Sequence, residues 1–363
     1  MAQRLGQSIW CDFLSRDLLA SGGLDEMIRS GVRGVTTNPS IFHNAIGKTS
    51  DYDDDILALR KKGKSGEEIY TSLTVADVQE AADHFLPVYE ESGGKDGFVS
   101  LEVSPLLAYD EVGTVAEAQH LWGLVNRKNV MIKIPATGEG MGAIRKSIAS
   151  GVSVNATLMF SRDQYGDVAE AYISGLEDRI SRGLPVDGIA SVASFFVSRV
   201  DTAVDKLLAS RGDRKLQGKI AIDNARAVYR DFETLFSSPR WHALEEKRAQ
   251  IQRPLWASTG TKNPAYSPTL YIDSLMGPFT VNTVPPATLE AFGKVEKIET
   301  TVTADRDGMD HRLGLLVTLG ISLREVTDTL LEEGVAAFEK AYLSLLESIE
   351  RKGRSLSSEP SAK

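Results

Sequence analysis

Eight short runs of β-branched and apolar residues, each followed by a longer helical pattern, constrain this chain more than any other feature. They are SIWCDF (8–13), GVTTNPS (34–40), FVSLEVS (98–104) and VMIKIPA (130–136), then VSVNATL (152–158), GIASVASF (188–195), PLWAST (254–259) and FTVNTV (279–284). Helical stretches such as TVAEAQHLWGLVN and VSRVDTAVDKLLASRG lie between them. Strands that alternate with helices pair in parallel through crossovers, and eight such units predict an α/β fold, a (β/α)8 TIM barrel. Two connections are long. Residues 41–97 predict extra helices after strand 2, and the chain past residue 305 predicts a C-terminal helical tail packed across the barrel. A single domain is expected over 1–363, with about 352–363 frayed into a disordered tail.

Alternation along the strands is informative about chemistry. In 99–103, Val99, Leu101 and Val103 share one face, and Ser100 and Glu102 share the other. In 130–134, Met131 and Lys133 face away from Val130, Ile132 and Ile134; in 152–158, Ser153, Asn155 and Thr157 do the same. Three consecutive strands thus aim Glu, Lys, Asn and Thr at the barrel axis, where side chains are otherwise mostly apolar. Asp12 ends the first strand in the same manner and Asn38 closes the second. A lone Asn or Thr of this kind is more often a satisfied core group. The set is different, because an ammonium in such a place costs several kcal/mol unless paired or deprotonated. A lysine that loses its proton among nearby carboxylates can attack a carbonyl and form a Schiff base.

Composition removes other classes. A net charge of −9 leaves no footprint for nucleic acid, and no apolar run is long enough for a membrane span. The single cysteine, Cys11, excludes an internal disulfide, reads as packing in an apolar strand, and with the absence of a signal-peptide pattern points to the cytoplasm. Five scattered histidines offer no metal-ligand spacing, so no metal is expected, and a protonated imine on Lys133 as electron sink would need no organic cofactor. GEGMGA imitates a dinucleotide fingerprint but lacks the acidic residue that should end the next strand, and it reads as a tight βα turn. The basic run RKKGK (60–64) reads as a solvated helix end.

SIWCDFLSRDLL, GVTTNPSIF, LEVSPLLAYD, MIKIPATGEGMGAI, VSVNATLMFS and SFFVSR, in that order, closely resemble the transaldolases over about residues 8–350. Chain length and LWASTGTKNPAY resemble the family's longer bacterial form. The resemblance implies transfer of a dihydroxyacetone unit in the pentose phosphate pathway. Sedoheptulose 7-phosphate and glyceraldehyde 3-phosphate would give erythrose 4-phosphate and fructose 6-phosphate. It implies Lys133 as the Schiff-base lysine and Asp12 as the group that takes the C4 hydroxyl proton. It further implies Glu102 and Thr157 as a pair that holds a water for imine chemistry. Asn38 and Asn155 would bind the dihydroxyacetone hydroxyls, Ser194 and Phe196 would line the pocket, and Arg199 would bind phosphate. Where the best-known members carry a second phosphate-binding arginine after strand seven, this chain has Ser258-Thr259-Gly260-Thr261-Lys262, and Lys262 is the candidate replacement. The partners implied are sugar phosphates, with the protein a monomer or homodimer. Two alternatives stay open: a fructose-6-phosphate aldolase-like enzyme that releases free dihydroxyacetone, and a sugar-phosphate binder without turnover. Members with the aldolase activity are shorter and carry tyrosine where Glu102 stands, as the resemblance implies.

Overall fold

The structure, a computed structural model, describes residues 2–358. Its eight parallel strands close into a barrel in chain order. They are β1 (Gln7–Cys11), β2 (Gly34–Thr36), β3 (Phe98–Glu102), β4 (Val130–Pro135), β5 (Val154–Met159), β6 (Ser191–Phe196), β7 (Arg253–Ala257) and β8 (Thr280–Val284). The strand faces read as apolar in the sequence are buried: Val99, Leu101, Ile132, Ile134, Val154 and Ala156 are all at most 1% exposed. Each large apolar side chain buried in this way contributes about 1.5–3 kcal/mol.

Local chemistry sets where strands stop. The second run was expected to extend to residue 40, yet β2 ends at Thr36 because Asn38 caps the helix Pro39–Lys48, accepting from the Ile41 amide at 3.0 Å. After β4, Thr137 caps the helix Gly138–Ser150 through the Gly140 amide at 3.0 Å. GEGMGA was expected to be the tight βα turn, but the turn is only Ala136–Thr137 and GEGMGA (138–143) forms the opening of this helix, where a Cβ at Gly140 would come within 1.9 Å of the Pro135 carbonyl oxygen. The sixth run begins late, at Ser191, since Gly188 at φ +84° belongs to the preceding turn.

Three helices fill the long connection after β2: Pro39–Lys48, Asp53–Lys61 and Gly66–Glu91. The chain ends in the helix Leu323–Ser358, which packs on all three and on Ser198–Ser210. The helix runs to Ser358, and the rest of the tail expected to be disordered from about residue 352, residues 359–363, lies outside the described residues. Lys352 holds the helix end through Asp53 at 2.6 Å and the Thr49 carbonyl. Arg60, from the basic run, pairs with Glu350 at 2.9 Å, while Lys64 meets Glu68 in solvent at 2.6 Å.

The two barrel ends differ. At the N-terminal ends of the strands, Asp96 accepts from Ser8 at 2.6 Å and Trp10 at 3.2 Å and pairs with Arg253 at 3.2 Å, which plugs the barrel floor. A wide hollow of about 1070 Å³ opens below that plug. At the C-terminal ends a smaller cavity of about 150 Å³ is lined by Asp12, Lys133 and Thr157, on the end of the barrel where such folds carry their sites.

Candidate active site

Strand register builds the site. Pairing places Glu102 beside Lys133, and Lys133 beside Asn155. The Lys133 Nζ donates to Glu102 Oε2 at 3.1 Å and to the Thr37 carbonyl at 2.7 Å, with the Lys133 and Glu102 side chains each 5% exposed. Asp12 leaves β1 with its amide donating to the Val284 carbonyl at 2.8 Å. Its Oδ1 accepts from Thr36 Oγ1 at 2.7 Å, and that hydroxyl lies 2.6 Å from Thr283 Oγ1.

The electrostatics favour proton exchange. Burial pushes Glu102 above the usual carboxylate range, with Lys133 offsetting it in part. Burial likewise raises Asp12, opposed by Lys133, by the Thr36 hydroxyl and by Lys262. One ammonium balances one carboxylate in a buried site, so the second carboxyl is favoured to keep a proton. The cluster therefore holds an amine, a proton acceptor and a proton donor within one small volume.

Around the cavity the structure brings together Asp12, Asn38, Lys133 and Thr157 with Ser194, Phe196, Arg199 and Lys262. Glu102 and Asn155 stand behind that lining. Asn155 is fully buried, donating to Ser100 Oγ at 3.1 Å and accepting from Ser194 Oγ at 2.7 Å, which fixes its amide. Asn38 spends its oxygen on the helix cap, so its NH2 is the end free to donate into the cavity. Thr157 Oγ1 is buried with no hydrogen-bond partner among the described residues. Its position is set by an irregularity in β5, where Leu158 turns to φ +58° and the register with β6 shifts.

Arg199 is the second residue of the helix Ser198–Ser210, and its guanidinium sits over the Phe196 ring at 5.4 Å. Burial pushes it below the usual arginine range, with Glu333 partly compensating. Among the described residues no carboxylate lies within ion-pair distance of it, which leaves its fork available to an anion. Lys262 is exposed on the loop after β7. Cys11 is no competitor as nucleophile, because burial and the neighbouring Asp12 push its thiol up to about 12.

Several partners escaped the sequence reading. Thr36 and Thr283 orient Asp12, and both share the inward parity of their strands, so alternation could have found them. The Thr37 carbonyl carries no side-chain signal. Phe338, from the C-terminal helix, lines the cavity, and Gly334 admits that helix so closely that a Cβ there would lie 3.1 Å from Leu158 and 3.5 Å from Arg199. More than 130 residues separate Gly334 from Arg199 along the chain, so no local pattern could reveal the contact.

The family model described as Transaldolase/Fructose-6-phosphate aldolase matches residues 9–349. A relative named Transaldolase from Trichodesmium erythraeum is 43% identical over 370 residues, covering 98% of this chain and 97% of its own. Transaldolase 1 of Streptomyces coelicolor is 48% identical over 95% of this chain and 92% of its own. A transaldolase of Neisseria gonorrhoeae is 47% identical over 94% and 96%, respectively.

Proposed function

The chain belongs to the transaldolase/fructose-6-phosphate aldolase family, and from that premise we propose a transaldolase working through a Schiff base on Lys133. The observation that carries this reading is a buried lysine amine 3.1 Å from Glu102, on a cavity that it shares with Asp12.

Lys133 passes a proton to the adjacent Glu102 carboxylate, its amine then adds to the C2 carbonyl of the ketose phosphate, and Glu102 and Thr157 serve the proton transfers that expel the hydroxyl as water. The resulting protonated imine is an electron sink. Asp12 removes the proton of the C4 hydroxyl, the C3–C4 bond breaks, and its electron pair enters the imine to form an enamine while the shortened aldose phosphate leaves. The acceptor aldehyde then takes the enamine carbon, Asp12 returns its proton to the new hydroxyl, and water hydrolyses the imine. Donor fragment leaves before acceptor binds, so the kinetics are ping-pong. The Asn38 amide, with Ser194 over Asn155, holds the three-carbon unit by its hydroxyls. Arg199 and Lys262 take the phosphate common to donor and acceptor, so that remote binding energy orients the reacting carbons.

Sedoheptulose 7-phosphate with glyceraldehyde 3-phosphate is the proposed pair. The whole chain is proposed to act as one unit, monomeric or homodimeric, in the cytoplasm, in keeping with its single buried cysteine. Among the described residues no helix is long and apolar enough to cross a membrane.

The test is to feed fructose 6-phosphate with and without an acceptor and to quantify transfer product and free dihydroxyacetone. Transfer should dominate with acceptor present, and little dihydroxyacetone should appear without it. Abundant acceptor-free release would mark an aldolase and refute the transferase reading.

A further inference from the structure

Of the cavity's two proposed phosphate-binding cations, one is on a helix and the other on a loop. Arg199 is fixed by its helix and by Phe196, whereas Lys262 is exposed on residues 258–269, which form neither helix nor strand. The base of that loop is tied down. Ser258 adopts φ +53° beside Ser198, their hydroxyls 3.0 Å apart, and Thr259 Oγ1 donates to Asn282 Oδ1 at 2.8 Å and to the Thr283 carbonyl at 3.0 Å.

Its far side is held by a different device. Tyr266 Oη donates to Asp205 Oδ2 at 2.6 Å, and Tyr271 Oη donates to Asp201 Oδ2 at 2.9 Å. Both acceptors lie on the helix Ser198–Ser210, one turn apart, and that helix carries Arg199 in its first turn. The second oxygen of each carboxylate is also occupied: Asp205 Oδ1 accepts from the Gly218 amide at 3.0 Å and Asp201 Oδ1 from the Ala221 amide at 2.9 Å. The carboxylates are therefore held from two sides and cannot follow the loop if it moves. Gly218, at φ +69°, supplies the floor for the Tyr266 ring, since a Cβ there would lie 2.9 Å from the ring.

We propose that Tyr266 and Asp205, backed by Tyr271 and Asp201, are positioning residues that fix Lys262 relative to Arg199 and so set selectivity for phosphorylated substrates. An exposed lysine has large rotamer freedom, and a phosphate gains from it only where the backbone beneath it is already placed. The clamp links the two phosphate cations through a single helix and leaves Lys133 and Asp12 untouched. This inference rests on the transaldolase reading and adds to it the residues that arrange its phosphate site.

The test compares acceptors on wild type, Tyr266→Phe and Lys262→Ala, with glyceraldehyde 3-phosphate against unphosphorylated glyceraldehyde and fructose 6-phosphate as donor. Tyr266→Phe keeps the ring on Gly218 and removes only the hydroxyl. Its KM for glyceraldehyde 3-phosphate should rise about tenfold, with kcat and the kcat/KM for glyceraldehyde unchanged within about twofold, and with an unaltered melting temperature. Lys262→Ala removes a ligand of the donor phosphate too, so it should raise the KM for fructose 6-phosphate and, at saturating donor, cost glyceraldehyde 3-phosphate more than glyceraldehyde. Equal losses on both acceptors with a lowered melting temperature would reduce the clamp to fold support and overturn the proposal, as would no loss on either. A selective loss in Tyr266→Phe without one in Lys262→Ala would overturn the role given to Lys262. Wild-type protein that transfers to neither acceptor would overturn the transaldolase reading and this inference together.

Discussion

Replacing Lys133 by methionine keeps an unbranched stem of similar length and removes the nitrogen. Turnover should fall by on the order of 10⁴ or more, as for other nucleophiles removed from a concerted site. The more discriminating expectation concerns stability. Glu102 is already raised by burial, and Lys133 is the group that offsets it. Without that cation the folded-state pKa of Glu102 rises further above its unfolded value, so the folded state binds the proton more tightly. The stability of Lys133→Met relative to wild type should therefore decline as pH rises above the ordinary carboxylate range, read as a widening gap in melting temperature. A gap independent of pH would mean that Glu102 is not the partner of that ammonium. At this scale the strand parity made Lys133, Glu102, Asn155 and Thr157 legible, since a period of two leaves no choice of face. It could not tell that Asn155 would stand behind the cavity wall, because that depends on Ser100 and Ser194 from neighbouring strands.

Elements place these residues through their ends. The β5 irregularity at Leu158 has no composition signal, as a leucine at positive φ is disfavoured and persists only where its surroundings impose it. Strand starts and stops shifted by up to four residues from the sequence expectation wherever a cap or a glycine turn competed, as at Asn38 and Gly188. The helix Ser198–Ser210 is held by a carboxyl with a readable titration: burial pushes Asp201 up to about 7, with Asp205 and Asp223 adding to the rise, and the Ala221 amide and Tyr271 opposing it. A carboxyl raised on folding favours the folded state while protonated, so its contribution to stability falls as pH rises from about 4 to about 7. Asp201→Asn imitates the protonated form. The variant should gain in melting temperature relative to wild type across that window, and a constant offset would show that Asp201 titrates as in the unfolded chain.

The whole molecule closes its active face with its own last helix. Leu323–Ser358 reaches over the barrel mouth, brings Phe338 to the cavity, and is anchored on the inserted helices by Tyr342 against Tyr70 at 5.2 Å between ring centroids, Arg60 with Glu350 and Lys352 with Asp53. The barrel and its helical additions were legible from the alternation of runs, while the closing role of the tail was not, because it rests on contacts between distant segments. Phe338→Ala should open the cavity to water and raise free dihydroxyacetone release relative to transfer by a few-fold, about 1 kcal/mol in partitioning. An unchanged ratio would deny the helix a part in shielding the enamine. The most direct measurement remains borohydride reduction in the presence of fructose 6-phosphate, followed by peptide mass spectrometry. A reduced three-carbon adduct on Lys133 is the predicted result. An adduct on any other lysine, or none on folded protein that binds the sugar phosphate, would contradict the Schiff-base site.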